Sequence, residues 1–205
     1  MIDDAQFLWA TPLFQGHISE ELRRDTNDLV LDHYNKSTKD KDPSWTSNDN
    51  LQTLSQLDPL IEQLLKFSRE CLNSLTIEFN KCYIPCMWAN VAPVGVAHQT
   101  HNHPNCLFSG VLYLQTPKGC AGTVFTDPRP ASKVLRPSYS DPSVNVLGQD
   151  FFSSPSEGKM VLFPGWLEHG VLNVPYNANE QRITLSWNIM IKGDMGQYTA
   201  RLKVS

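Results

Sequence analysis

The feature that most limits the possible folds is the character of the chain after residue 80. From there the sequence consists of short runs rich in Val, Leu, Ile, Phe, Tyr and Trp, separated by Pro, Gly, Asn and Asp. Because no helical periodicity lies between these runs, the pattern argues against a parallel βαβ sheet and favours an antiparallel sandwich or barrel. The predicted strands span residues 83–92, 107–115, 123–126, 151–152, 159–163, 170–174 and 182–191.

The first eighty residues follow a different pattern. An edge strand is predicted over residues 7–14, then a helix that begins at Ser19 and ends near Tyr34. After a polar loop, apolar side chains three and four residues apart predict an amphipathic helix over residues 54–79, with Pro59 in its first turn. The fold class expected is therefore mainly β with N-terminal helices.

The chain shows no repeat, linker or charge block that would divide it. For its 205 residues we expect a single domain, with a strand and helical layer over residues 1–80 and a β core over residues 81–192. The long segment 128–150 has little periodicity, and loops of that length are commonly lids or binding elements.

Charge and cysteine content argue against several classes of protein. Lys and Arg number 17 against 21 Asp and Glu, a formal net charge of −4, so no basic excess is available to bind nucleic acid. No apolar run reaches the roughly 18 residues of a membrane helix, and the acidic start MIDDAQ differs from a signal peptide. Five scattered cysteines predict buried thiols, with a metal or redox role as the alternative. We expect a cytoplasmic protein.

Three of the six histidines lie close together in the segment His98-Gln-Thr-His101-Asn-His103. In an extended chain, residues two apart point to the same side, so His101 and His103 can offer two imidazoles to one metal ion. His169, which follows a predicted strand and the turn Pro164-Gly165, is the candidate for a third ligand. The three histidines predict a metal site with open coordination positions.

The spacing of glycines and histidines resembles the two cupin motifs, without the Glu of the first motif. The first is carried by Gly95, His101, His103 and Gly110, and the second by Gly158, Pro164, Gly165 and His169. Such paired motifs place three histidines at the mouth of a jelly-roll barrel. His98 is interpreted as a bystander or as a residue that supports the metal site without binding the ion, and no chemistry is assigned to His17 or His33.

The segment 182–191 alternates strictly between polar and apolar residues. One face carries Ile183, Leu185, Trp187, Ile189 and Ile191, and the other carries Arg182, Thr184, Ser186 and Asn188. If the N-terminal helices cover the apolar face, the polar face turns into the barrel. An interior Arg182 then needs an anion, and its guanidinium suits a carboxylate held through two parallel bonds.

Five separated segments, HNHP, LFSGVLYLQ, TVFTDPR, GKMVLFPGWLEHGV and QRITLSWN, together resemble the Fe(II)/2-oxoglutarate-dependent oxygenases. The resemblance covers about residues 80 to 192 and is greatest to short bacterial and phage members. It implies a double-stranded β-helix, a cupin-like jelly roll, that uses Fe(II), 2-oxoglutarate and O2. The activity it implies is that of a hydroxylase, which couples the oxidative decarboxylation of 2-oxoglutarate to the oxidation of an unidentified small-molecule or peptide substrate. The exposed sheet edges leave a homodimer open.

The resemblance also assigns roles to residues. His101, His103 and His169 would hold Fe(II), and Arg182 would bind the distal carboxylate of 2-oxoglutarate. Thr184 would lie beside Arg182, and the Tyr113 hydroxyl would assist it. The strand positions of Asn90 and Asn188 add two further pocket residues to this group, and a hydrogen-bonded buried amide is the alternative for each.

The chain departs from the family at one ligand. The usual motif is His-x-Asp with a distal His, and here His103 stands where the Asp is expected. Asp127 and Glu168 are near in sequence, but neither is expected to replace the missing carboxylate. Two alternatives therefore stay open: a three-histidine cupin dioxygenase or isomerase that does not use 2-oxoglutarate, and a jelly-roll protein with a metal site but no enzymatic activity.

Overall fold

The computed structural model describes residues 9–37, 44–129, 131, 134, 138–140, 150–175, 177–196 and 198–204. Most of the predicted loop 128–150 therefore lies outside the described residues. The two helices are α1 (Glu20–Ser37) and α2 (Asp58–Ser74). The strands are β1 (Phe14–His17), β2 (Trp45–Thr46), β3 (Lys81–Tyr83), β4 (Met87–Val94), β5 (His98–His101), β6 (Phe108–Gln115), β7 (Thr123–Phe125), β8 (Phe151–Ser153), β9 (Lys159–Pro164), β10 (His169–Val171), β11 (Asn177–Met195) and β12 (Leu202–Val204).

The strands form two antiparallel sheets. The larger sheet has the order β1-β9-β6-β11-β4-β2, with β3 and β12 also paired to β11, and the smaller sheet has the order β5-β10-β7-β8. The sheets pack through a small apolar cluster in which the rings of Phe125 and Phe163 lie 4.8 Å apart. This confirms the predicted jelly roll, mainly β with N-terminal helices.

The two helices cover the outer face of the larger sheet. Leu60, Leu64 and Leu72 of α2 are fully buried in a core shared with Leu185 and Trp187 of β11. Pro59 lies in the first turn of α2, where its missing N–H costs no helical hydrogen bond. No helix among the described residues is long and apolar enough to cross a bilayer.

Several predicted boundaries shift in the structure. The first strand begins at Phe14, whereas it was expected over residues 7–14, of which residues 7 and 8 lie outside the described part of the chain. The second helix spans Asp58–Ser74 within the wider predicted range 54–79. The first turn of the predicted helix is instead the short 3₁₀ segment Ser55–Leu57, and another 3₁₀ segment, Leu51–Thr53, lies just before it. The strand expected over residues 83–92 is divided into β3 and β4.

The five cysteines are free thiols, as predicted. Cys71 and Cys82 are buried, and Cys86, Cys106 and Cys120 are half-buried. None of them joins a group of potential metal ligands among the described residues.

Candidate metal centre

Three histidines converge between the two sheets. One ligand nitrogen from each of His101, His103 and His169 lies within 4.8 Å of the other two. The Nε2 atoms of His103 and His169 are 3.3 Å apart. The predicted trio therefore comes together, from the end of β5, the segment after β5 and the start of β10.

Two of the rings are held by their second nitrogen. Nδ1–H of His101 donates to the carbonyl oxygen of Gln99 at 2.8 Å, and Nδ1–H of His169 donates to that of Leu167 at 2.9 Å. These bonds select the tautomer whose Nε2 has a free lone pair toward the other histidines, an arrangement typical of metal-binding histidines.

His103 reaches the cluster in a way that strand alternation does not describe. β5 ends at His101, so His103 lies in the segment beyond the strand. The backbone N–H of His103 donates to the carbonyl oxygen of Gly165 at 2.8 Å, and Gly165 N–H donates to Leu107 at 3.0 Å. A Cβ at residue 165 would lie 2.5 Å from the Cys106 sulfur, so only glycine lets the turn before β10 fix this segment.

The predicted inward-facing arginine lies in the same cavity as the histidines. A cavity of about 260 Å³ is lined by His101, His103, His169 and Arg182. Thr184 and Asn90 line it on the same side as Arg182, from strands β11 and β4 of the larger sheet. Arg182 is 7% exposed, and its Nε has no hydrogen-bond partner among the described residues. Its Cζ lies 5.6 Å from the centre of the Tyr113 ring.

Two of the residues grouped with Arg182 lie outside the lining of this cavity. The Tyr113 hydroxyl is hydrogen-bonded to the Thr123 hydroxyl at 2.8 Å and accepts the Thr123 N–H at 3.1 Å. Asn188 lies six residues beyond Arg182 in β11, where its amide donates to the Cys86 sulfur at 3.2 Å. Their roles toward a ligand stay predictions.

Among the polar residues that line the cavity, sequence reasoning missed Thr46 and Thr123 and placed His98 only beside the site. Thr46 falls in a segment expected to be a polar loop, but it pairs with Asn90, and its hydroxyl donates to the Asn90 side-chain oxygen at 2.9 Å. No sequence signal identifies it, because β2 is only two residues long. Ser186, placed on the inward polar face with Arg182, lines the cavity.

The described residues that line the site contribute no negative charge. Burial, with the neighbouring histidines adding to it, lowers the pKa of both His103 and His169 to about 4, so both rings are neutral near pH 7. None of the described lining residues is an Asp or Glu. As expected, neither Asp127 nor Glu168 joins the histidine group. Asp127 instead pairs with Arg129 at 2.7 Å.

The donor set fits a divalent transition metal. Two imidazole nitrogens bound to one ion at about 2.1 Å lie about 3.0–3.4 Å apart, and the observed Nε2 separation of 3.3 Å agrees with this spacing. The unpartnered Nε of buried Arg182 likewise fits an anionic co-substrate in the same cavity.

Comparison with known proteins gives a family and a fold. Residues 86–188, just over half of the chain, match the family described as "Putative 2OG-Fe(II) oxygenase". No curated protein matches the sequence.

Many solved structures are similar in fold. A Pseudomonas putida prolyl-4-hydroxylase is 13% identical, with 91% of this chain and 96% of that chain covered and a TM-score of 0.63. SnoN, the non-heme alpha ketoglutarate dependent epimerase from nogalamycin biosynthesis, is 9% identical over 88% and 78%, with a TM-score of 0.65. HygX from Streptomyces hygroscopicus, solved with nickel and 2-oxoglutarate bound, is 12% identical over 87% and 82%, with a TM-score of 0.54.

The family match covers the segment that contains the three histidines and Arg182, and the similar structures share the jelly roll. The resemblance predicted from the sequence is thus confirmed, and Fe(II), 2-oxoglutarate and O2 are the cofactor and co-substrates. The chain belongs to the 2-oxoglutarate- and Fe(II)-dependent oxygenases.

Proposed function

We propose that the chain hydroxylates a small-molecule or peptide substrate, with Fe(II) held by His101, His103 and His169 and with 2-oxoglutarate held by Arg182. The observation that carries this proposal is the buried guanidinium that shares one cavity with three converging imidazoles. An unpaired buried guanidinium is costly, and a carboxylate compensates it through two parallel hydrogen bonds. A dicarboxylate can chelate the metal ion at the histidines with one end and pair with the Arg182 guanidinium at the other.

When bound, Fe(II) and 2-oxoglutarate activate O2 and supply the oxidant that removes hydrogen from the substrate. The overall reaction converts R–H, 2-oxoglutarate and O2 into R–OH, succinate and CO2. One oxygen atom enters the alcohol, the other enters succinate, and the C1 carboxylate leaves as CO2. The likeness in fold to a prolyl-4-hydroxylase supports hydroxylation as the outcome.

The protein's own groups bind and orient the reactants. The carbonyl bonds of His101 and His169 keep their Nε2 atoms aimed at one point. The Trp88 ring, 5.5 Å from the His103 ring, limits rotation of that imidazole. Thr46 holds the Asn90 side-chain oxygen, so the Asn90 amide group remains as a donor at the wall of the cavity.

The proposal is tested by an anaerobic titration of the apo protein with Fe(II) and then with 2-oxoglutarate. We expect the visible charge-transfer band of a chelated keto acid, followed by succinate release when O2 is admitted. His169→Ala is expected to abolish the band. His17→Ala, which removes an exposed histidine of β1, is the matched control and keeps it.

Two outcomes would contradict the proposal. Iron binding without a band at saturating 2-oxoglutarate would favour a three-histidine oxygenase or isomerase that does not use the keto acid. Retention of zinc or nickel with no Fe(II)-dependent oxygen consumption would indicate a structural metal site.

A further inference from the structure

Strand β5, which begins at His98 and ends at His101, contains a β-bulge. His169 pairs with His101 and Val171 pairs with His98, so a step of two residues on β10 is matched by a step of three on β5. In a regular strand, residues three apart face opposite sides, and a bulge re-aims one of them. Here the extra residue brings His98 and His101 to the same side, and both line the cavity.

His98 is not part of the metal-binding group. The three nitrogens that lie within 4.8 Å of one another come from other histidines, and His98 contributes none of them. Its ring has no hydrogen-bond partner among the described residues, although it is half-buried. Burial first, and then the positive charges of Arg182 and His101, lower its pKa. The ring is therefore neutral near pH 7, with one N–H to donate.

His98 and Arg182 are two donors that face one cavity without a carboxylate in its described lining. Arg182 Nε is unpartnered and buried. Strand β5 packs closely on β10, since a Cβ at Gly170 would lie only 2.8 Å from the His98 carbonyl oxygen. This packing holds the backbone of His98 in place. His98 of the smaller sheet and Arg182 of the larger sheet thus offer two donors to one cavity, which suits an anionic group that bonds to both.

We propose that His98 is a second binding residue for the co-substrate, whose ring N–H donates to the 2-oxoglutarate carboxylate that Arg182 holds. This inference rests on the proposed function, and it replaces the bystander role expected from the sequence. His98 acts on the affinity for the keto acid and leaves the affinity for Fe(II) unchanged.

The test measures the dissociation constants of Fe(II) alone and of 2-oxoglutarate in the anaerobic Fe(II) complex. His98→Leu keeps a side chain in place without a donor, and we expect it to weaken 2-oxoglutarate binding by about tenfold to a hundredfold. His98→Asn and His98→Gln place an amide N–H near the positions that the two ring nitrogens occupy in the wild type. At least one of these variants is expected to bind 2-oxoglutarate with a dissociation constant within about threefold of the wild-type value. Thr100→Leu, at an exposed position of the same strand, is the matched control.

Several outcomes would overturn the inference. Wild-type affinity in His98→Leu would make His98 a wall of the cavity only, and lost Fe(II) affinity would make it a metal ligand. If 2-oxoglutarate binding is weakened equally in the leucine variant and in both amide variants, with unchanged thermal unfolding, His98 does not act through a hydrogen bond to the co-substrate. A wild-type protein that binds Fe(II) but forms no 2-oxoglutarate complex would refute the proposed function itself.

Discussion

Both faces of β11 are buried, but they differ in what they contact. On the outer face, Ile183, Leu185 and Trp187 are 0% exposed and pack into the core beneath the helices. On the inner face, Arg182 and Thr184 are 7% and 2% exposed, yet they line a polar cavity. Burial is therefore not what separates a structural face from a functional one.

The difference lies in whether the protein itself compensates the buried groups. The outer face needs only apolar neighbours, which α2 supplies. The inner face buries a guanidinium with no acidic partner among the described lining residues. Such a group is tolerated where a ligand provides the missing charge. Substitutions on the outer face should lower the free energy of unfolding, and substitutions on the inner face should lower the affinity for the ligand.

Trp187→Ala is expected to have the largest effect. Gly110 leaves room for this ring, since a Cβ there would lie 2.3 Å from it, so alanine creates a large cavity. The free energy of unfolding should fall by about 3–5 kcal/mol in a urea titration. Trp166→Ala is the matched control at a side chain that is 55% exposed, with an expected change within about 0.5 kcal/mol. Similar losses of unfolding free energy in both variants would contradict the stabilising role of the outer face of β11.

Arg182→Met tests the inner face of the same strand. We expect the affinity for 2-oxoglutarate to fall by about 2–5 kcal/mol, because a buried charge pair loses one partner. The free energy of unfolding of the apo protein should stay the same or rise, since an uncompensated buried charge is replaced by an apolar side chain. Chemical denaturation and the 2-oxoglutarate titration measure the two quantities. A loss of stability as large as that of Trp187→Ala would contradict this prediction.

His103→Asp sharpens the account of the missing negative charge. The variant restores the usual set of two histidines and one carboxylate, and Fe(II) should bind at least about tenfold tighter, about 1.4 kcal/mol. His103→Asn, of the same size but uncharged, is the control and should bind Fe(II) more weakly than the wild type. The comparison is made by competition with a chromogenic chelator under anaerobic conditions. Equal affinities in the two variants would show that the charge has no influence.

Glu20→Gln concerns the helix that covers the outer face and should have the smallest effect. Arg23 anchors α1 by donating to the Leu114 carbonyl at 2.6 Å, and Glu20 accepts from Arg23 and Arg24. Hydrogen bonds from Arg23 first, and then from Arg24, lower the pKa of Glu20 from 4.5 to about 2. A lowered carboxyl pKa stabilises the folded state fully above pH 4.5, and this contribution is lost as the pH falls toward 2.

The measurement is thermal unfolding of the wild type and the Glu20→Gln variant over that pH range. The variant should have a slightly lower Tm above pH 4.5, and the difference should vanish near pH 2. A difference that persists at the acidic end would assign the effect to packing.

Much of the site could be predicted because its signals are local. The spacing of His101 and His103, the turn before His169 and the alternation of β11 are each contained in a few residues. The orientation of β11 was expected from the sequence on the condition that the N-terminal helices cover its apolar face, and the structure shows α2 packed on that face. The missing carboxylate at residue 103 was visible from the motif alone.

Other parts of the site have no local signal. β5 was not predicted, because the segment from His98 to His101 has no apolar alternation, and it is a strand only through its pairing with β10. Thr46 reaches the cavity because β2 adds to the edge of the larger sheet beside β4.

By itself, the sequence determined the fold class, the family and the chemical identity of the groups at the site, since periodicity and motif spacing are properties of neighbouring residues. Only the tertiary structure decided which of these groups meet. The bulge opposite β10 brings His98 into the cavity, and the contact of Gly165 with the segment after β5 fixes His103. Both depend on hydrogen bonds between strands far apart in sequence, whose register is set by packing of the whole sheet.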